Sequence, residues 1–138
     1  MKKAPLQKIP SALACGLLED GNRALFLSRK GTDGAERIEL PSVLVYSGDN
    51  PVFALASEFR RQTGIDGEVH EVTIESRQNA GSKKRKAWIP VLVFRVTAKS
   101  ARAAPSAEFS GFCWLERREL AGKKFGRNLA WMHRHGQP

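Results

Sequence analysis

The sequence predicts an α/β fold in which a mainly β core is packed by one sharply bounded helix and by a C-terminal helix over residues 123–133. Three observations predict it: a capped helix over residues 51–63, a strand pair joined by Asp20 and Gly21, and two later segments rich in β-forming residues. The length of 138 residues and the 41% hydrophobic content suit one globular domain.

Local signals fix both ends of the helix. Asn50 is a good N-cap, Pro51 suits the first helical position, and Gly64 suits the left-handed residue just past the end. The apolar residues recur at spacings of three and four and form one stripe: Val52, Leu55, Ala56 and Phe59. A neighbouring stripe is polar: Glu58, Arg61 and Gln62.

The strands are predicted from apolar segments and the turn residues between them. Residues 12–18 and 24–29 flank an Asp-Gly turn and therefore predict a β-hairpin. Residues 69–77 and 87–97 predict two more strands, and Pro90 predicts that the second is an edge strand or carries a bulge.

The helix and its flanking loops resemble the Nudix box, G-x5-E-x7-R-E-U-x-E-E-x-G-U, where U is a bulky apolar residue. Four positions match strictly: Glu58, Phe59, Gly64 and Ile65. Asp49 is a conservative replacement, and four positions depart from the box: Val43, Ser57, Arg61 and Gln62. The resemblance implies a Nudix-type α/β/α sandwich with a mixed β-sheet, as a single domain over residues 1–138 with its core at about 10–132.

The departures bear on the chemistry that the resemblance implies. Nudix carboxylates hold Mg²⁺ or Mn²⁺ against a substrate diphosphate, and such hard cations need several oxygen ligands. Here the helix keeps one carboxylate of three, and we expect Arg61 to pair with Glu58 in place of a metal. The sequence therefore predicts a Nudix-fold protein with a degraded metal site, no resident cofactor and weak or no hydrolysis, which binds a nucleotide, a polyphosphate or a nucleic acid.

The alternative is a divergent active Nudix hydrolase that cleaves a nucleoside diphosphate linked to another moiety. In that case Glu58 and Glu108 are the catalytic candidates, and Glu58 and Asp49 would hold Mg²⁺ or Mn²⁺. Glu108 lies near the place where many members of this family supply a loop acid, but an ordinary surface glutamate is the favoured interpretation. Glu39 lies in a segment similar to the family's W-E-L-P run and is a candidate ligand-binding residue with Arg61 and Gln62.

The net charge of +9, from 23 Lys and Arg against 14 Asp and Glu, implies a partner with dense negative charge. Four adjacent cations lie in the turn predicted before residue 87: Lys83, Lys84, Arg85 and Lys86. We treat them as ligand-binding candidates for a phosphorylated small molecule or nucleotide, and nucleic acid is equally compatible with the charge. The competing interpretation is a solvated turn. The three tryptophans are expected in the core rather than on a base-stacking surface: Trp88, Trp114 and Trp131.

Other function classes are disfavoured. The sequence has no apolar span long enough to predict a membrane segment, and two cysteines do not make a disulfide framework. Lys8 and Pro10 interrupt any apolar export signal, which predicts a cytoplasmic protein. The oligomeric state stays open.

Overall fold

A computed structural model describes residues 9–133, with side chains as far as Met132. Within these residues lie seven strands, one α-helix and two 3₁₀ helices. The strands are β1 (Ala12–Asp20), β2 (Arg23–Lys30), β3 (Glu36–Glu39), β4 (Ser42–Val45), β5 (Gly67–Asn79), β6 (Trp88–Ala98) and β7 (Gly111–Glu116). The α-helix is α1 (Pro51–Thr63), and the 3₁₀ helices span Arg117–Gly122 and Arg127–His133.

The strands form one mixed sheet, which confirms the predicted fold class. Its order is β3-β2-β1-β6-β5, with β4 also paired to β1 and β7 also paired to β2. Strands β1 and β6 run parallel, and the other pairs are antiparallel. The predicted hairpin of residues 12–29 is present as β1 and β2.

Helix α1 has the predicted bounds because its ends are set by local interactions. Asn50 Oδ1 accepts a hydrogen bond from the Phe53 N–H, and Gly64 adopts a φ of 73° while donating to Arg60 O. The middle and last turns bury Leu55 and Phe59. The first turn does not pack, since Phe53 is 76% exposed and Val52 is 41% exposed.

The core lies on both faces of the sheet because successive strand residues point to opposite sides. Ala12 and Ala14 of β1 pack with Leu55 on the helix side. Leu13 and Cys15 face the other side, in a cluster that includes Trp131. The sheet is therefore sandwiched between α1 and the C-terminal segment.

The C-terminal helix predicted over residues 123–133 is wrong in type and length, because residues 124–126 are tied to β3. Ile38 N–H donates to Lys124 O, Gly126 N–H donates to Ile38 O, and Phe125 bridges Ile38. Because these main-chain bonds hold residues 124–126 beside β3, the helical turns begin only at Arg127, and the segment Arg127–His133 is a 3₁₀ helix.

Strand β6 is not an edge strand, since it lies between β1 and β5. Pro90 is tolerated because the pairing of β1 with β6 begins one residue later, at Val91. The register shifts lie in β5, between Val69 and Ile74. Across residues 9–133, no helix combines the length and hydrophobicity needed to cross a membrane.

Candidate functional site

Arg61 bridges two carboxylates beside α1. Its Nε donates to Glu58 Oε1 at 3.0 Å and its Nη2 donates to Glu58 Oε2 at 3.0 Å, so that the guanidinium is bidentate. The remaining nitrogen, Nη1, lies 2.8 Å from Glu108 Oε1. Because Glu108 lies on the loop before β7, one guanidinium joins the helix to that loop.

Gln62 completes this arrangement from the buried side. The residue is 8% exposed, and its Nε2 donates to Ser42 O at 2.8 Å and to Glu58 Oε2 at 3.0 Å. In return, Ser42 N–H donates to Gln62 Oε1 at 3.2 Å. The side-chain amide thus pairs with the main chain at the start of β4 and holds α1 against it. We name these residues the box helix cluster: Ser42, Glu58, Arg61, Gln62 and Glu108.

Both carboxyl groups of the cluster are held ionised. The hydrogen bond from Arg61 lowers the pKa of Glu58 against the opposing effect of burial, and Gln62 adds to the lowering. The Ser106 hydroxyl, at 2.9 Å, lowers the pKa of Glu108, followed by Arg61. The two carboxylates in turn raise the pKa of Arg61. A carboxylate with a lowered pKa is a weak proton acceptor at neutral pH, which makes either group a poor general base in this state.

The donor set does not fit a resident divalent cation. Both oxygens of Glu58 already accept hydrogen bonds from Arg61 or Gln62, and Glu108 Oε1 accepts one from Ser106 and pairs with Arg61. Asp49 lies in the exposed turn before α1 and accepts from Tyr46 N–H, and within residues 9–133 no hydrogen bond or ion pair joins it to Glu58. In the same part of the chain, no three His, Cys, Asp or Glu side chains are grouped to hold a metal ion.

A basic cleft lies next to the box helix cluster. Glu39 is buried at its floor and pairs with Arg29 at 3.1 Å, while the Arg29 guanidinium lies 4.7 Å from the Phe109 ring centroid. The cavity measures about 320 Å³ and is lined by Arg29, Lys30, Gly31, Arg37, Glu39, Gly126, Arg127 and Asn128. Four of these residues are cations and one is an acid. Lys30 and Arg127 have no carboxylate partner among the described residues, so the cleft has positive charge to offer an anion.

A second cavity adjoins the cleft and shares Arg127 and Asn128 with it. This side cavity measures about 500 Å³ and is lined by Pro10, Leu44, Tyr46, Gln78, Ala80, Arg127 and Asn128. Gln78 is 7% exposed, and its Oε1 has no hydrogen-bond partner in the described part of the chain. The side cavity therefore combines the Tyr46 ring with the Gln78 and Asn128 amides, and ligand pockets commonly have such a mixture of aromatic and polar groups.

Two routes connect the box helix cluster with the basic cleft. The Ser42 hydroxyl accepts a hydrogen bond from Asn128 Nδ2 at 3.3 Å, and Asn128 lines both cavities. Glu108 is followed by Phe109, on which Arg29 is stacked, and the charge of Arg29 also lowers the pKa of Glu108. The cluster, the cleft and the side cavity therefore adjoin one another.

Solved structures share this architecture. A NUDIX hydrolase from Nitrosomonas europaea superposes with a TM-score of 0.66 at 14% identity, covering 83% of this chain and 78% of that one. The E. coli dihydroneopterin triphosphate pyrophosphohydrolase gives 0.66 at 15% identity, covering 94% and 97%. The NUDIX domain of Shewanella oneidensis NrtR, complexed with ADP ribose, gives 0.63 at 11% identity, covering 95% and 87%. The chain has the Nudix fold.

No protein-family model matches the sequence, and no curated protein matches it. The similarity to known Nudix proteins is thus carried by the course of the backbone, and it shows the fold without showing the chemistry.

Within the Nudix fold, the predicted site residues fall into three groups. Glu58, Arg61, Gln62 and Glu108 meet in the box helix cluster, and Glu39 lies in the adjoining basic cleft. The four cations of the turn, residues 83–86, are exposed on the β5–β6 hairpin, apart from the cluster. Arg127 links the basic cleft to this turn, since it lines the cleft and its Nη2 donates to Ala80 O and Gly81 O at 3.3 Å.

Sequence reasoning missed Arg29, Gln78 and Asn128. Their positions follow from contacts between segments that are far apart in the chain, such as the 86 residues that separate Asn128 from Ser42. One signal was available for Arg29. In an antiparallel pair of β2 with the segment before Pro41, Leu27 pairs with Glu39, which places Arg29 one diagonal step from that carboxylate.

Proposed function

We propose that this Nudix-fold protein binds a phosphorylated ligand, with weak or no hydrolysis, and that a nucleotide fits the site best. The observation that carries the proposal is the position of Arg61, which pairs with both carboxylates of the box helix cluster. A cation bound there would have to displace a bidentate guanidinium, which is a strong and geometrically matched partner of a carboxylate. Binding should therefore rely on fixed side-chain cations, with no resident cofactor.

The ligand's phosphates fit the basic cleft, where Lys30 and Arg127 have no carboxylate partner within residues 9–133. The base or another ring fits the side cavity beside Tyr46. In this conformation the Gln78 Oε1 atom is covered by protein atoms. The Gln78 side chain must therefore rotate about its last torsion before its amide can form a hydrogen bond with the polar edge of the ligand's ring. A Nudix domain complexed with ADP ribose is among the similar structures, which supports a ligand of this class. Direct contacts from Glu39 or Gln62 to the ligand stay predictions.

The second candidate is the active hydrolase. Glu58 and Glu108 are held close together by the same guanidinium, so a substrate diphosphate that drew Arg61 away would release two carboxylates at once. They would then be available to Mg²⁺ or Mn²⁺, and Asp49, which is not grouped with them within residues 9–133, would have to approach as the third ligand. This route requires Arg61 to change partners upon substrate binding.

Calorimetric titration with ADP-ribose and nucleoside diphosphates, in EDTA and in millimolar MgCl₂ or MnCl₂, separates the two functions. We expect binding in EDTA, little change on adding the metal, and no product by chromatography. Metal-dependent turnover of a diphosphate compound would establish the hydrolase instead. Absence of binding to every compound in both buffers would refute the proposed function.

A further inference from the structure

The excess positive charge of the chain is concentrated in one segment. Residues 76–107 contain eight Lys and Arg residues and no Asp or Glu, against a net charge of +9 for the whole chain. Five of the eight lie at the tip of the β5–β6 hairpin: Arg77, Lys83, Lys84, Arg85 and Lys86. All five are exposed, and the four turn residues have no carboxylate partner within residues 9–133.

The hairpin projects past its neighbouring strand. Strand β1 pairs with β6 only from Val91 onward, whereas β5 and β6 continue through three further pairs to the pair of Trp88 with Asn79. The cations therefore lie on an arm rather than in the cavities of the candidate site. A single small ligand needs convergent walls, while a polymer with a repeating charge can lie along an arm.

The turn itself is braced. Asn79 Oδ1 accepts from Gly81 N–H and Ala87 N–H, both at 2.9 Å, and Arg127 caps the carbonyls of Ala80 and Gly81. Gly81 is required, because a Cβ there would overlap Arg85 O. The cations are thus presented on an ordered backbone, which reduces the entropy lost when a ligand binds.

An exposed aromatic ring lies at the base of the turn, contrary to the expectation that all three tryptophans are in the core. Trp88 is 42% exposed, whereas Trp131 is 1% exposed. The Arg77 guanidinium lies 5.7 Å from the Trp88 ring centroid. An indole among cations, part of it open to solvent, is the combination on which unpaired bases stack while the phosphates meet Lys and Arg.

We propose that the tip of the β5–β6 hairpin binds single-stranded nucleic acid, with the sugar–phosphate backbone along residues 83–86 and a base on Trp88. A single strand is favoured over a duplex because stacking on Trp88 needs an unpaired base. The inference extends the proposed binding of phosphorylated ligands to a second surface, and it does not require the cleft to be occupied.

The test is fluorescence anisotropy with a labelled single strand of about 12 nucleotides, a length within the range that one module covers, titrated at several salt concentrations. Changing Lys83, Lys84, Arg85 and Lys86 to Ser should weaken binding and reduce the slope of log affinity against log salt by about 2–3, since each lost phosphate contact contributes about 0.7. The matched control changes Lys99, Arg102, Lys123 and Lys124 to Ser, which removes the same three Lys and one Arg from elsewhere. This control variant should keep most of the wild-type slope of log affinity against log salt.

Trp88→Leu isolates stacking from charge. We expect about 5- to 150-fold weaker binding with an unchanged salt slope, and we expect Trp88→Phe to retain most of the affinity. Thermal unfolding of each variant checks that the fold is kept.

Equal losses in the two quadruple variants would overturn the proposal, since net charge alone would then explain binding. An unaffected Trp88→Leu variant, or a duplex bound as tightly as the single strand, would also overturn it. The nucleotide titrations test the cleft independently of the hairpin. If the protein binds the single strand but no nucleotide, the proposed function is refuted and this inference stands.

Discussion

At the scale of single residues, Arg61 decides the electrostatics of the site. Two carboxylates and one guanidinium leave the box helix cluster with a net charge close to −1, where the resemblance implies a helix bearing three carboxylates. A divalent cation gains little from so small a charge, and it must also break the bonds from Arg61 to Glu58 and Glu108. The residue therefore acts as a built-in counterion.

Arg61→Met should reveal this role through its pH dependence. At neutral pH we expect the free energy of unfolding to fall by about 1 kcal/mol, because exposed ion pairs contribute at most about this much. The folded-state pKa values of Glu58 and Glu108 are lowered, so their contribution is present above the unfolded pKa near ~4.3 and is lost as the pH falls through the folded values.

Urea denaturation of both proteins across pH 7 to about 3 measures the difference. The difference in the free energy of unfolding between wild type and Arg61→Met should disappear at acidic pH. Arg60→Met, on the exposed side of the same helix, is the control. A gap that stays constant with pH would mean that Arg61 contributes through packing rather than charge.

Part of this cluster could be predicted from sequence. The pair of Glu58 and Arg61 follows from a spacing of three on a helix, and the structure shows it at 3.0 Å. The partners Ser42 and Glu108 are 20 and 47 residues away from their contacts. No local pattern specifies such contacts, because they depend on how the loops pass over α1.

At the scale of elements, a helix or strand is predicted accurately from the sequence when the residues that determine its ends lie close to it in the chain. Helix α1 was predicted to the residue, since Asn50, Pro51 and Gly64 act within one turn of its ends. The C-terminal helix was wrong, because main-chain bonds to Ile38 on β3 fix residues 124–126 first. The position of β6 inside the sheet was missed because strand order is a property of the assembled sheet and Pro90 gave a misleading edge signal.

The double variant Arg61→Glu with Gln62→Glu tests α1 as a metal-binding helix. In EDTA we expect it to lose about 2–4 kcal/mol of stability, because Gln62→Glu removes the amide N–H donors that serve Ser42 O and Glu58. The two new carboxylates would also repel Glu58 and Glu108. Millimolar Mg²⁺ should restore part of the loss by binding only the folded state.

Thermal unfolding with and without Mg²⁺ measures both effects, with wild type and Arg60→Glu as controls expected to show no shift. The idea fails if wild type gains as much from Mg²⁺ as the double variant does. Turnover of a nucleoside diphosphate derivative by the variant alone would show that the rest of the cleft has kept the geometry for hydrolysis.

At the scale of the whole molecule, charge is distributed unevenly around the sheet. The basic cleft and the hairpin tip are joined through Arg127, whereas the edge strand β5 carries Glu68, Glu71 and Glu75 farther along. Such a separation orients an approaching polyanion before contact and makes its association rate depend on salt. One end of the molecule thus carries the positive charge on which both proposed phosphate-binding surfaces depend.

The two surfaces can be separated by a last pair of variants. Lys30→Ser with Arg127→Ser removes the two cleft cations that have no carboxylate partner among the described residues, and Lys99→Ser with Arg102→Ser removes one Lys and one Arg from a different cavity. We expect the first pair to weaken nucleotide binding by about 30- to 150-fold, equivalent to roughly 2–3 kcal/mol, because each cation makes a charge-assisted bond to phosphate. The second pair should change it less than threefold, or about 0.6 kcal/mol.

Because Arg127 also braces the turn through Ala80 and Gly81, Lys30→Ser alone is needed to assign the loss to the cleft. That variant should weaken nucleotide binding in calorimetry while the single-strand affinity of the hairpin stays unchanged. Parallel loss of both ligands in Lys30→Ser would mean that nucleotide and polynucleotide share one continuous surface, with the side cavity as the pocket for a terminal base.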